Sequence, residues 1–345
     1  MQNEITGPQE LLDGHGRVIT EGWARRPYWR YDRRKIAAGW HRIKEWDYYS
    51  VLSHGGRYGI TLTASDLGYA GLFAICWLDF DSGFYDQVDT LSVLPRGRTG
   101  FPATSADGVV EFGDRSLRLR FEARDGRRVL RFAAPMLRDG RGATGLTGEI
   151  ELTQPPHQES MAIATSWAEK RTAFYYNEKI NCMPAAGSVA IGDNRYPFHA
   201  DRDFGALDWG RGRWTYTNRW YWSSASGYVD GRRFGWNLGY GFSDRSPATE
   251  NVVFVDGRAH KLDQVVFEID TDDYTRPWTF ASNDGRFEME FSPIVDRASH
   301  VDFLVIKSTQ HQVFGHFRGF AMLDDGTRIE VRDFLGFAED VFNRW

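Results

Sequence analysis

Apolar and polar residues alternate along this chain in runs of five to ten, and glycine, aspartate, asparagine or proline separates the runs. A period of two is typical of β-strands with one buried face, whereas a helix places apolar residues three or four positions apart. Asp-Gly pairs, which suit tight hairpin turns, lie between runs at 125–126, 230–231, 256–257, 284–285 and 325–326. The pattern predicts an all-β protein of antiparallel hairpins.

The predicted strands form two groups, one in each half of the chain. The first group is 48–53, 58–65, 71–80, 117–122, 129–134, 145–153 and 161–166. The second is 173–181, 188–191, 213–223, 233–242, 251–255, 262–269, 278–281, 286–291, 303–307, 313–322 and 328–334. Outside them, residues 33–45 and the C-terminal 336–345 are candidates for short helices.

The best candidate for a linker or a change of sheet is "TQPPHQES", residues 153–160. Two prolines followed by polar residues cannot continue a central strand. With 345 residues and 41% hydrophobic composition, the chain is long enough for about two domains. We therefore predict two packed antiparallel β-barrel units, of lipocalin-like (calycin-like) form, with an N-terminal domain at 1–154, a linker at 155–159 and a C-terminal domain at 160–345.

Charge and motifs exclude several function classes. The net charge of −5 does not suit a nucleic-acid partner, and no segment has the length of a membrane span or a secretory signal, so we expect a cytoplasmic protein. Nucleotide-binding and hydrolase signatures are absent, and Cys76 and Cys182 are expected to be reduced packing residues. His199, Asp201 and Asp203 have a metal-like spacing but follow Pro197 in a predicted loop, so we expect neither a metal nor a cofactor.

The segment "DWGRGRWTYTNRWYW", residues 208–222, combines aromatic rings with amide and charged groups. Alternation along a strand places five of these side chains on one face, namely Trp214, Tyr216, Asn218, Trp220 and Trp222. Such a face is either part of a core or the wall of a pocket.

The next predicted strand, "RRFGWNLGYGF", has two contrasting faces. One face carries Trp236 among other large apolar side chains, and the opposite face is nearly bare glycine with Asn237 at its centre. Glycine in a strand is expected where a ligand or another backbone approaches closely, or where a barrel bends. Rings placed over a glycine face predict a flat apolar slot with few polar groups.

Polar residues in apolar surroundings are the candidates for catalysis, because burial raises the pKa of a carboxylic acid. Glu178, Glu339 and Asp340 are in such surroundings, and for each the pattern favours a satisfied core polar group or a strand-end residue at the surface. As catalytic residues we select Asp47, Asp208, Arg211 and His316.

Asp208 and Arg211 are predicted to lie on a turn, "DWGRG", at the mouth of a barrel. If the two side chains pair, Asp208 suits anchoring a polar end of the ligand; if they do not, it suits proton donation. An ordinary ion pair that fixes the turn is the third possibility.

Several strings of the sequence resemble a bacterial family of undefined activity, the domain of unknown function DUF2804. They are "EWDYYSVL", "DWGRGRWTYTNRWYW", "TENVVFVDGRAHKL", "FEMEFSP", "QVFGHFRG" and "DDGTRIEVRDFLGFAEDVFNRW". More distantly, the two-part β layout is similar to tandem lipocalin-like proteins that include carotenoid hydratases and fungal cyclising enzymes. That resemblance implies a long apolar substrate held at or near a domain junction and assigns no residue.

Three functions fit the sequence. The first is a cofactor-independent hydratase, isomerase or cyclase that acts on a hydrophobic small molecule by acid–base chemistry, with rings that stabilise a developing cation. The second is a binding protein for a lipid or pigment, without catalysis. The third is a glycan-active protein, because tryptophan faces also stack on sugars. The sequence leaves substrate, reaction and oligomeric state open.

Overall fold

The computed structural model describes residues 2–303 and 306–344, which form an all-β fold. Two 3-10 helices, Arg33–Lys35 and Trp40–Arg42, precede the first long strand. The strands are β1 (Gln9–Glu10), β2 (Gly22–Ala24), β3 (Trp29–Arg30), β4 (Ile43–Ser53), β5 (Tyr58–Asp66), β6 (Ala70–Asp79), β7 (Phe84–Val93), β8 (Gly108–Gly113), β9 (Arg118–Arg124), β10 (Arg127–Arg138), β11 (Thr144–Thr153), β12 (Met161–Trp167), β13 (Lys170–Ile191), β14 (Asn194–Phe198), β15 (Phe204–Arg213), β16 (Thr217–Val229), β17 (Arg232–Tyr240), β18 (Val252–Val255), β19 (Arg258–Lys261), β20 (Val265–Glu268), β21 (Trp278–Ser282), β22 (Phe287–Phe303), β23 (Ile306–Met322) and β24 (Arg328–Arg344).

The first large sheet is antiparallel and curls on itself. Its main strand order is β7-β6-β5-β4-β15-β13-β11-β10-β9-β8, with β12, β2 and β14 attached at β13. The backbone N–H of Arg138 in β10 donates to Asp86 in β7 at 2.8 Å, although six strands separate β7 from β10 in the sheet order. The sheet therefore forms a half-barrel around its own apolar core.

The second large sheet has the order β19-β18-β17-β16-β24-β23-β22-β21-β20 and is also antiparallel. Its far ends approach each other where the Tyr240 hydroxyl accepts a hydrogen bond from the Phe267 backbone N–H at 3.0 Å. A second core, which includes Trp236 and Trp278, fills this half-barrel. The predicted all-β class with two curled antiparallel units of lipocalin-like form is confirmed.

The chain changes sheets at residues 214–216 rather than at Pro155–Pro156. Strands β12 to β15 pair with the first sheet, and the second sheet begins at Thr217. The prolines lie in a connection between β11 and β12, both of which hydrogen-bond to β13. The domain limits proposed from the sequence stay a prediction. The strands start to pair in the second sheet only from Thr217, about 60 residues after the two prolines.

The C-terminal candidate helix is wrong, because residues 336–344 belong to β24. This strand is hydrogen-bonded on both sides, to β16 and to β23. Pairing with the preceding strand β23 on one side and with the distant strand β16 on the other satisfies the backbone of residues 336–344 and prevails over the local helical pattern. In the part of the chain that the structure describes, no helix has the length and apolarity needed to cross a membrane.

The outer face of the first sheet packs against the outer face of the second, and we call the layer between them the interface. Side chains alternate along β13 and β15, so one set enters the first core and the other enters the interface. Asn181 of β13 donates to the Ser224 hydroxyl and to the Trp236 carbonyl, each at 2.8 Å. Two further apolar clusters complete this layer. Polar groups buried in the interface therefore come from both sheets.

Candidate functional site

An ion pair in the interface joins the neighbouring strands β13 and β15. Lys179 and Asp208 are direct register partners. The Nζ atom of Lys179 lies 2.8 Å from Asp208 Oδ2, and Asn177 Nδ2 donates to Asp208 Oδ1 at 2.5 Å. Both charged residues are buried, so the pair is held in a low-dielectric setting.

Glu250, in the connection between β17 and β18, extends this pair. Its Oε2 atom lies 3.9 Å from Lys179 Nζ and accepts a hydrogen bond from the Tyr175 hydroxyl at 3.1 Å. Burial raises the pKa of Glu250, and the charge of Lys179 opposes that rise. A Cβ atom on Gly239 would lie 2.0 Å from Glu250 Oε1. The bare glycine face of β17 therefore accommodates a carboxylate of the protein itself.

Glu339 of β24 is a further buried carboxylic acid in the interface. In the sheet it lies between Trp222 of β16 and Gln312 of β23. Burial raises the pKa of Glu339 to about 8, and the negative charge of Asp208 adds to the rise, while Arg297 and Lys179 oppose it. At neutral pH this side chain holds a proton. We call Lys179, Asp208, Glu250 and Glu339 the interface cluster.

Neutral polar groups surround the interface cluster. Trp222 Nε1 donates to Asn237 Oδ1 at 2.6 Å, and Asn237 Nδ2 donates to the Glu250 carbonyl at 2.9 Å. Lys179 Nζ lies 4.2 Å from the centroid of the Trp222 ring, which is cation–π geometry. These contacts fix the indole beside the charged groups.

A second polar chain runs from Glu339 to the other side of the interface. Gln312 hydrogen-bonds to Tyr48 of the first sheet and accepts from Arg297 Nη1 at 2.6 Å. Arg297 in turn donates to Gln87 Oε1 at 2.8 Å. Polar groups from both sheets therefore meet on this side of Glu339.

An aromatic wall adjoins the cluster, centred on Trp214 in the crossover between the sheets. The rings packed around it are those of Trp46, Trp167, Tyr175, Trp220 and Phe242, with centroids 5.1–5.8 Å from Trp214. Tyr175 belongs to both groups, because its ring lies in the wall and its hydroxyl contacts Glu250.

The interface is nearly closed. A space of about 10 Å³ remains between the sheets, lined by Ser50, Phe204, Ser224, Phe337 and their neighbours, which is room for about one water molecule. Trp46, Tyr48 and Trp220 are partly exposed, whereas the residues of the cluster are buried. These rings mark the side from which solvent reaches the cluster most directly.

A larger trough, of about 520 Å³, lies on the outer face of β8 to β11, away from the interface cluster. Arg120 and Arg131 line it and form ion pairs with Glu111, Glu122 and Glu149. Its charges are thus matched by exposed partners on the same sheet, as on an ordinary solvated strand surface. The interface, rather than this trough, is therefore the candidate site.

The four residues selected as catalytic do not lie together. Asp208 belongs to the interface cluster, whereas Asp47 and Arg211 point into the first core, where Arg211 Nη1 lies 2.9 Å from Asp47 Oδ1. Asp208 and Arg211 face opposite sides of β15 and do not pair. The expected "DWGRG" turn is wrong, because residues 208–212 lie within β15. A Cβ atom on Gly210 would lie 2.0 Å from the Trp46 ring. That glycine permits close packing within a strand.

His316 lies on β23 away from the cluster, with its Nδ1 atom 2.9 Å from Asp333 Oδ1. Asn218 closes a local turn, since it donates to the Thr215 carbonyl at 2.8 Å. Tyr216 is 38% exposed, and Trp236 fills the second core. Of the residues predicted to bind substrate, Trp214, Trp220, Trp222 and Asn237 lie at the interface beside the cluster.

The sequence does not identify Lys179, Glu250 or Gln312 as site residues, and it gives Glu339 no catalytic role. Lys179 lies two positions after Asn177, so both side chains are on the same buried face of an apolar strand. A lysine on a buried face is rare without a partner. That signal could have identified it. Among the described residues, no group of three His, Cys, Asp or Glu side chains is placed to hold a metal ion.

Comparisons with known proteins show the family and the fold. The sequence model of a family described as "Domain of unknown function (DUF2804)" matches residues 2–345. No curated protein matches the sequence.

Solved structures share the architecture at low identity. A Nitrosomonas europaea protein described as AttH has a TM-score of 0.52 at 14% identity, covering 87% of this chain and 92% of that chain. The structure of CghA with Sch210972 has a TM-score of 0.53 at 11% identity, covering 88% of this chain and 88% of that chain. Kievitone hydratase from Nectria haematococca has a TM-score of 0.51 at 9% identity, covering 87% of this chain and 88% of that chain.

Proposed function

We propose that this chain, which belongs to the DUF2804 family, is a cofactor-independent enzyme that performs acid–base chemistry on a hydrophobic small molecule in the interface. The observation that carries the proposal is that a buried acid, Glu339, lies in the same interface as the Lys179–Asp208 ion pair of the facing sheet, beside an aromatic wall. A carboxylic acid whose pKa is raised by burial is typical of the proton donors of acid–base catalysts.

Hydration of a carbon–carbon double bond fits these groups best. Glu339 would donate its proton to one alkene carbon, and the cation formed at the other carbon would lie against the aromatic wall. A water molecule would add to that carbon and lose a proton to Asp208, which is paired with Lys179. Transfer of this proton to solvent, and uptake of another by Glu339, would restore both groups.

The same groups would support isomerisation or cyclisation if water is kept out. For isomerisation, Asp208 would remove a proton from the substrate cation. For cyclisation, a second double bond would first attack the cation to close a ring, and the new ring cation would lose its proton to Asp208. The small space between the sheets implies that substrate entry displaces side chains. The partly exposed rings of Trp46, Tyr48 and Trp220 are the ones placed to move.

The structural relatives lend support at the level of fold. Kievitone hydratase is named as a hydratase, and CghA was crystallised with Sch210972. A protein of this architecture can thus carry a hydratase activity, while the residues proposed for this chain rest on its own interface.

The experiment begins with native mass spectrometry of the purified protein, to identify any small molecule that it retains. That compound and a panel of isoprenoid and aryl-substituted alkenes are then incubated with enzyme in D₂O, and the products are tested for deuterium and for added water. Activity should fall by about 100-fold or more in Glu339→Gln and in Asp208→Asn.

Glu330→Gln is the matched control, because Glu330 is an exposed glutamate on the same strand, paired with Arg328. Its activity should equal that of the wild type. Unchanged activity in both interface variants would refute the assignment of acid and base. A ligand that binds in the interface without being converted would instead favour the non-catalytic binding protein.

A further inference from the structure

The open end of the second half-barrel carries a polar cluster that the interface chemistry does not use. Alternation along β24 sends Asp340 to the side opposite Glu339, into the second half-barrel. His311 of β23 and Tyr221 of β16 are its direct register partners, and Tyr240 of β17 is the partner of Tyr221. One row of four strands therefore presents a carboxylate, an imidazole and two phenols to the same interior.

The rows on either side differ in character. Towards the closed end, Val313, Ala338 and Leu238 belong to the apolar core. Towards the open end, Arg219 is exposed and donates to both carboxylate oxygens of Asp340. The polar row thus lies where the apolar filling of the half-barrel ends.

His311 has the geometry of an oriented base. Its Nδ1 atom lies 2.8 Å from Asp296 Oδ2. The ring of Tyr274, from the connection between β20 and β21, stacks on the imidazole with a centroid distance of 3.7 Å and an interplanar angle of 3°. The Tyr274 hydroxyl donates to Asp340 Oδ2 at 2.8 Å. The carboxylate and the stacked ring therefore fix the orientation of the imidazole from two sides.

Two polar atoms of this cluster lack protein partners. Across residues 2–303 and 306–344, the structure contains no hydrogen bond to His311 Nε2, and Asp296 Oδ1 is buried without a partner. The His311 side chain is 22% exposed, so its Nε2 is within reach of a small molecule. With Nδ1 donating to Asp296, Nε2 is an acceptor.

We propose that the open end of the second half-barrel is a separate binding site for a planar phenol. The phenolic O–H would donate to His311 Nε2, and the ring would pack among Tyr221, Tyr240 and Tyr274. Flat aromatic surfaces favour a planar ring, and an acceptor fixed by Asp296 favours a hydroxyl donor over a carboxylate. This inference is independent of the proposed activity in the interface.

The probe is 4-nitrophenol, whose absorbance reports its ionisation. Titration of the wild type should give saturable binding with a change in the phenolate absorbance. His311→Phe keeps a ring to stack on Tyr274 but removes the acceptor, and it should weaken binding by about tenfold or more. Glu339→Gln alters the interface only, and it should bind as the wild type does.

A second measurement covers the case in which His311→Phe is poorly folded. In NMR spectra of protein with labelled histidine, 4-nitrophenol should shift the His311 signal of the wild type and leave that of His15 unchanged. Absence of saturable binding, an unmoved His311 signal, or weaker binding in Glu339→Gln with normal binding in His311→Phe would each overturn the proposal.

Discussion

Glu339 and Asp340 are consecutive residues of β24 whose carboxyl groups occupy different compartments of the molecule. Glu339 lies in the interface between the two sheets, beside Gln312 and Trp222. Asp340 lies inside the second half-barrel and is held by Arg219 and Tyr274. One strand therefore supplies an acid to each of two polar clusters.

The two acids should respond oppositely to loss of charge at pH 7. At pH 7 Glu339 takes up a proton when the chain folds and glutamine does not, so Glu339→Gln should raise the free energy of unfolding by about 1–3 kcal/mol. Asp340→Asn removes the charged partner of Arg219 and should lower it by about 1–3 kcal/mol. Urea denaturation of both variants measures the difference. Equal losses would contradict the assigned protonation states.

The stability of the protein should depend on pH through Glu339. Its pKa is about 8 in the folded chain and 4.5 ordinarily, so the folded state binds more protons between these values. Stability from this group is therefore greatest below about pH 4.5 and decreases as the pH rises through 8. Melting curves of the wild type and Glu339→Gln across this range should converge at low pH and diverge at high pH. Parallel curves would refute the raised pKa.

Gly239→Ala should disturb the interface cluster directly. The added methyl group would meet Glu250 Oε1 at 2.0 Å, so the carboxylate, whose other oxygen lies 3.9 Å from Lys179 Nζ, must shift. We expect a loss of about 1–3 kcal/mol in unfolding free energy, as for other overpacked sites. Gly14→Ala, where the methyl group meets no atom within 4 Å, is the control. Equal stability of the two variants would show that Glu250 adjusts freely.

Lys179→Met should be strongly destabilising, because it leaves Asp208 and Glu250 buried without a cation. Removing one partner of a buried pair costs about 3–5 kcal/mol. Adding Asp208→Asn to Lys179→Met should recover part of the loss, and a double-mutant cycle by chemical denaturation gives the coupling. Strict additivity of the two changes would show that the pair is not coupled.

Periodicity identified the local faces but not which distant faces meet. The alternation in β16 and β17 correctly separated Trp220 and Trp222 from the opposite side, because the side-chain period of a strand is a local property. The partners of Asp208 could not be found in this way. Lys179 is 29 residues away and reaches Asp208 through the pairing of β13 with β15, whereas Glu250 is 42 residues away and approaches through the packing of the two sheets.

Glycine was the residue whose role the sequence left most ambiguous. In "DWGRG" it predicted a turn, yet Gly210 is a strand residue beneath Trp46. In β17 it predicted a close approach, which the structure contains, although the approaching groups are Glu250 and Cys182 rather than a ligand. A glycine in a strand indicates that another group approaches the backbone closely, but the identity of that group depends on the tertiary packing.

The crossover at residues 214–216 has a consequence for how such a protein can diversify. All strands before it that carry Asp208 and Lys179 belong to one sheet, and the strand that carries Glu339 belongs to the other. Recombination at this point would exchange the proposed proton donor while keeping the proposed proton acceptor. Chimeras of two family members joined there would divide the chain between its two large sheets and combine the Glu339 position of one parent with the Lys179–Asp208 pair of the other.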